Sequence, residues 1–140
     1  MGVIHGGLVI EQAAERIRFE RVALGVADTA GGVLAWQNPE DAAIIVLRLA
    51  LDITTKTTGA CTLDCGPAAN GTTLNATLID GLDANAATGV FDNIEDAGAT
   101  GKSTAKLAAN GGGTDWVTGS KASGAAAGLV GYAYIYYLVI

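Results

Sequence analysis

The run Leu129-Val130-Gly131-Tyr132-Ala133-Tyr134-Ile135-Tyr136-Tyr137-Leu138-Val139-Ile140 decides the fold class. With a two-residue period, Tyr132, Tyr134 and Tyr136 share one face, while Ala133, Ile135, Tyr137 and Val139 share the other. Aromatic and β-branched side chains suit a pleated strand. The chain is uncharged from residue 125 to 140, but these 16 residues fall short of the ~20 that a membrane-crossing helix needs. A strand apolar on both sides must cover both. One side belongs against a packed sheet, the other against a partner subunit, a helix or an N-terminal arm.

Further strands are expected upstream. Residues 42–53 form an apolar run rich in Ile, Val and Leu, interrupted only by Arg48, and read as a strand buried on both faces. Residues 61–66 and 72–77 flank Asn70-Gly71, a hairpin signal. Leu78, Ile79 and Leu82 have the spacing of one helical turn, and residues 84–89 allow another short helix before Val90-Phe91. Residues 92–113 are polar and glycine-rich, a long loop with room for one short element. Trp116-Val117-Thr118 is a strand core, and residues 119–128 are a small-residue link. Short strands between turn signals, without alternating helices, predict an all-β protein, an antiparallel β-sandwich of jelly-roll type with a short helix or two. The sandwich is expected over residues 39–140, preceded by an extended arm over 1–38 that ends at Asn38-Pro39, where proline biases its predecessor away from the helical region.

Within the arm, residues 11–24 contain good helix formers, but Ile17, Phe19, Val22 and Leu24 follow period two with one slip, which favours an extended segment. Arg16 and Arg18 then face one way and Ile17 and Phe19 the other. With Arg21, such a segment can add a strand to another subunit's sheet edge while its arginines pair with carboxylates. The alternative is an edge strand of this same domain carrying protective charges. The candidate interface residues are therefore Arg16, Ile17, Arg18, Phe19 and Arg21, together with Tyr132, Tyr134 and Tyr136.

The length of 140 residues fits one domain, and 20 glycines suit tight turns better than long helices. Fourteen acids against 8 bases give a net charge of −6, which repels a phosphate backbone and argues against nucleic acid as a partner. No signal peptide or myristoylation pattern is visible at the N-terminus. Cys61 and Cys65 are the only cysteines and His5 the only histidine, too few for a four-ligand zinc site. The thiols read as small core residues. Gly98-Ala99-Thr100-Gly101-Lys102-Ser103 ends like a phosphate-binding loop, but Asp96 stands where the pattern requires glycine. Asp92, Asn93, Glu95 and Asp96 lack the arrangement of an EF-hand calcium loop. No nucleophile–base pair has spacing support, so neither a catalytic residue nor a cofactor is expected.

The stretches Gly32-Val33-Leu34-Ala35-Trp36-Gln37-Asn38-Pro39, Leu78-Ile79-Asp80-Gly81-Leu82, Gly89-Val90-Phe91-Asp92-Asn93, Trp116-Val117-Thr118-Gly119-Ser120 and Gly128-Leu129-Val130-Gly131-Tyr132-Ala133-Tyr134 resemble small structural proteins of tailed bacteriophages, the capsid decoration (cement) proteins of β-sandwich type. The resemblance covers residues 32–140. It implies a virion protein made in the host cytoplasm, sitting as a trimer or similar homo-oligomer on the outer surface of the head and clamping neighbouring major capsid subunits. It supplies no catalytic residues, and residues 1–31 lie outside it. Two other classes compete: a virion adhesin or tail component presenting loops to a glycan, and a self-assembling filament or surface-layer subunit. An adhesin calls for aromatic platforms in loops, whereas Trp116 and the tyrosines fall in expected strands.

Overall fold

In the computed structural model, which describes residues 16–140, alternating apolar residues build two antiparallel sheets that close face to face. The strands are β1 (Ile17–Ala23), β2 (Leu34–Gln37), β3 (Ile44–Thr55), β4 (Cys61–Ala68), β5 (Ile79–Asp83), β6 (Gly89–Asp92), β7 (Ala105–Leu107), β8 (Trp116–Gly124) and β9 (Val130–Val139). Sheet A has the order β1-β9-β3-β6, with β7 also paired to β3, and sheet B has the order β2-β8-β4-β5. The first strand lies beside the last and the chain repeatedly crosses between sheets, which is the jelly-roll winding. β6 and β7 share one strand position: β6 pairs with Ala50–Ile53 and β7 with Ile44–Val46 on the same edge of β3.

Alternation along β9 is as the tyrosine spacing requires. Gly131, Ala133, Ile135 and Tyr137 are buried between the sheets, and Tyr132, Tyr134 and Tyr136 face outward. On β3, Ile44 and Val46 point inward, and then Leu49, Leu51 and Ile53 do. The parity changes because an irregularity falls between Val46 and Arg48 in the pairing with β9. One extra residue, Leu47, swings Arg48 to the outside, where it meets Asp92, while every later apolar side chain stays in the core. Leu34, Trp36, Leu63, Cys65, Val117 and Leu107 complete the core. The expectation that β3 is buried on both faces holds inside and, on the outer face, at Ala50; outward Ile45, Arg48 and Asp52 are half-buried.

The described part of the expected arm belongs to the sandwich. β1 is the edge of sheet A, paired to β9 from Ile17↔Leu138 to Ala23↔Tyr132, and β2 is the edge of sheet B. The edge-strand alternative therefore describes residues 17–23. His5 and the rest of residues 1–15 lie outside the described residues.

Three local expectations fail, the first being the link over 119–128, of which residues 119–124 continue strand β8. The helical turn expected at Leu78, Ile79 and Leu82 is instead a bend at Leu78 leading into strand β5, and residues 84–88 make turns and a loop; among the described residues only Arg16 is helical. Ile79 and Leu82 reach the core from a strand because the pairing with β4 is irregular between Leu63 and Asp64, which lets both side chains face inward. The Asn70-Gly71 hairpin also does not form. Asn70 Oδ1 accepts from the Thr72 amide and from the Thr72 and Thr73 hydroxyls, and Asn75 Oδ1 accepts from the Thr77 amide and hydroxyl. These local bonds compete with a ladder, and residues 69–78 cross over sheet B instead.

Candidate functional surface

The two outer faces of the sandwich differ in kind. On sheet B, Trp116, Thr118 and Ser120 point away from the core, yet Thr118 and Ser120 are buried. Thr118 Oγ1 donates to the Thr73 carbonyl at 2.6 Å, and Ser120 Oγ accepts from the Gly31 amide at 2.7 Å. Gly66 and Gly71 let this cover come close: a Cβ on Gly66 would stand 2.2 Å from the Asn75 side chain, and one on Gly71 2.9 Å from the Trp116 ring. Sheet B is thus sealed by the chain's own loops through polar contacts.

Sheet A has no such cover among the described residues. Its outer face is laid out in rows by the register. Ile17 stands beside Leu138, and Leu138 beside Ile45; Phe19 stands beside Tyr136 and Arg48; Arg21 beside Tyr134 and Ala50; Ala23 beside Tyr132 and Asp52, with Val90 beyond. Phe19 is 64% exposed, Val90 59% and Ile17 51%. Phe19 stacks on Tyr136 at 5.9 Å between centroids, and the Arg21 guanidinium carbon sits 4.6 Å over the Tyr132 ring. Both are the cross-strand contacts expected of neighbouring strands. Arg48 pairs with Asp92 at 2.9 Å on the far side of the face. The carboxyl of Asp92 lies below its ordinary range: burial pushes it up, but the Glu95 and Ile94 amides and the Arg48 guanidinium together pull it down further.

Ile17, Phe19, Arg21, Tyr132, Tyr134 and Tyr136 of the expected interface therefore share one surface. Arg18 does not. It lies opposite Tyr137 on the inward side of β1, and its Nη1 donates to Glu40 Oε1, which also accepts from the Tyr137 hydroxyl at 3.0 Å. Burial first, then Glu40, pushes the Tyr137 phenol up to about 12. Arg18 thus fastens the edge strand to the loop entering β3. Arg16, just before β1, is exposed. The sequence reading missed Val90, Ile45 and Asp52, because nothing local in residues 89–92 reveals which edge β6 joins.

The other motifs have structural roles. Thr100 donates from its amide and hydroxyl to Asp80 Oδ2, so the Gly98–Ser103 stretch is spent on a carboxylate of this chain. Asn93 bridges the gap between β6 and β7: its Oδ1 accepts from the Leu49 amide, and its Nδ2 donates to the Lys102 and Ser103 carbonyls. Cys61 and Cys65 are free and buried, and burial pushes the Cys65 thiol up to about 12. The described residues form no pocket and no group of three metal-ligating side chains, and none of their helices is long and apolar enough to cross a membrane.

No family model, curated protein or solved structure matches this chain.

Proposed function

We propose that this chain is a structural virion protein that binds the outer surface of an assembled phage head through the outer face of sheet A, clamping neighbouring major capsid subunits. One observation carries the reading: a single jelly roll closes one outer face with its own polar loops and leaves on the other a broad surface where Phe19, Tyr132, Tyr136, Ile17 and Val90 are exposed. Contiguous exposed apolar surface of this kind marks macromolecular contact sites. Tyrosine and arginine, here stacked as Arg21 on Tyr132, recur where a protein surface is buried by a partner. A flat face suits another flat surface better than a small substrate, which needs a concave site. The net charge of −6 keeps an external protein from competing for the packaged genome.

Such a protein works by mass action. Binding only the assembled shell stabilises that shell by the binding free energy summed over many copies, with no reaction performed. The test is electron microscopy of heads with and without the protein, each given a heat or osmotic challenge. Heads carrying it are expected to show added density on the outside and to survive a harsher challenge. Equal survival and bare capsids would remove the reading. A glycan-binding role has less support, because the aromatic side chains of the exposed face lie on strands while residues 93–113 carry none.

A further inference from the structure

The loop that seals sheet B carries an Asn-Gly pair, Asn70-Gly71, and the chain holds a second at Asn110-Gly111, each preceded by alanine. Glycine after asparagine leaves the backbone nitrogen open to attack the side-chain amide, because no Cβ stands in the way. Gly71 has a packing reason to be glycine, since a Cβ there would stand 2.9 Å from the Trp116 ring. We propose that Asn70 is a site of spontaneous self-modification, its side-chain amide converted to a carboxylate through a succinimide, and that the fold directs this chemistry to Asn70 while sparing Asn110. The inference concerns the sheet B side of the molecule and does not depend on the capsid reading.

Three donors converge on Asn70 Oδ1: the Thr72 amide at 3.0 Å, the Thr72 hydroxyl at 2.9 Å and the Thr73 hydroxyl at 2.8 Å. The bond to the Thr72 amide folds the side chain back over the Gly71 peptide in an Asx-turn. The Gly71 nitrogen, freed of its proton by solvent hydroxide, forms a bond to Asn70 Cγ, and the carbonyl electron pair moves onto Oδ1. Donors already aimed at an oxygen where charge develops stabilise it without rearrangement. The oxyanion then collapses, the Cγ–Nδ2 bond breaks, and the nitrogen takes a proton from water and leaves as ammonia. Water opens the resulting ring at either carbonyl, giving aspartate or isoaspartate at position 70. Among the described residues nothing accepts from the Gly71 amide or from Asn70 Nδ2, and Asn70 is exposed, so nucleophile, leaving group and water are all at hand. The other five asparagines each lack a part. Asn38 precedes Pro39, which has no N–H; Asn75 and Asn85 precede alanines; Asn93 is buried, and the Ile94 amide after it donates to Asp92. Asn110 is the nearest match, but the Gly111 amide donates to Asp115 Oδ2 at 2.7 Å and Asn110 Nδ2 to the Asn38 carbonyl at 2.8 Å. An isoaspartyl link lengthens the main chain just before the Thr73 carbonyl that holds Thr118, so the modification loosens the cover of sheet B.

Incubation of the full chain at mildly alkaline pH, followed by mass spectrometry of its peptides, tests the assignment. In the folded chain the mass gain of amide-to-acid exchange is expected at Asn70 about tenfold faster than at Asn110, whose glycine amide must first give up a charge-assisted hydrogen bond. In urea the two Ala-Asn-Gly sequences are expected to react at equal rates, which separates the effect of the fold from that of the dipeptide. T73A keeps the sequence Asn70-Gly71-Thr72, removes one donor at an exposed position, and is expected to slow Asn70 by about threefold in the folded chain, the weight of one ordinary hydrogen bond, and not at all in urea. An Asn70 that stays unmodified in the folded chain overturns the proposal. Equal rates at the two sites do so too, as does a preference for Asn70 that is just as large in urea. A T73A chain that reacts at the wild-type rate would also contradict it, because the converging donors would then have no part in the reaction.

Discussion

Asn93 shows how much one side chain can hold at the residue scale. Where β6 has ended and β7 has not begun, Asn93 takes over the missing strand's bonds, exchanging both of its backbone and side-chain groups with Leu49 and tying down Lys102 and Ser103. Asn93→Ala leaves a buried amide and two carbonyls without partners, so a loss of about 1–3 kcal/mol is expected in urea unfolding; an unchanged midpoint would deny the side chain this role. Tyr137 and Cys65 set the alkaline limit. Both are neutral in the fold with their pKa values raised to about 12, against reference values of 10.0 and 9.0. Stability is therefore complete below pH 9 and declines as pH rises toward 12, because the unfolded chain releases these protons first. For the fully buried Cys65 alone the decline is on the order of 4 kcal/mol by pH 12. Denaturation midpoints at pH 8 and pH 11 should show it, with a smaller drop in Tyr137→Phe.

At the scale of elements, β9 is the strand that joins edge strand β1 to β3 and carries the tyrosines of the exposed face. Gly131 lies where a Cβ would stand 2.0 Å from the Asp52 carbonyl, so Gly131→Ala must push β9 away from β3. A fall in stability of roughly 1–3 kcal/mol is expected from such overpacking, visible as a lower Tm. Substitutions on the outer face behave oppositely. Phe19→Ser and Tyr136→Ser remove surface that the isolated chain leaves open to solvent, and each is expected to change stability by less than about 1 kcal/mol. A large loss would mean that this face supports the fold instead of awaiting a partner. The alternating face of β9 was legible from sequence, because period two is a local property and the tyrosines all share it. So was the core of β3. The bulge at Leu47 was not, although Arg48 inside an apolar run is its trace: a charge there cannot point inward, so the strand must shift phase. Residues 72–83 misled for a different reason. Their local Asn–Thr bonds and the i, i+4 spacing of Leu78 and Leu82 describe a short stretch, and only the pairing with β4 fixes its conformation.

For the whole molecule, the winding brings β1 and β9, the first and last described strands, side by side. That adjacency puts Phe19 on Tyr136 and Arg21 on Tyr132, and so assembles one surface from segments more than a hundred residues apart in sequence. The tyrosine face and the Ile17–Phe19 face could each be read from the chain, but their union could not, since nothing local tells an edge strand which neighbour it joins. Nor could the closure of sheet B, which rests on carbonyls and amides of residues 31 and 73 that carry no signature in sequence. The central claim is that sheet A's outer face exists to be covered. Under the proposed capsid role, its most direct measurement is cosedimentation of the purified chain with assembled phage heads, comparing wild type with Tyr132→Glu, Tyr136→Glu and, on the outer face of sheet B beside Thr118, Ala35→Glu. Wild type and Ala35→Glu are expected to pellet with the heads, and the two tyrosine variants, folded by circular dichroism, to lose at least tenfold in affinity. Equal binding by all four, or no binding by the wild type, would contradict the account.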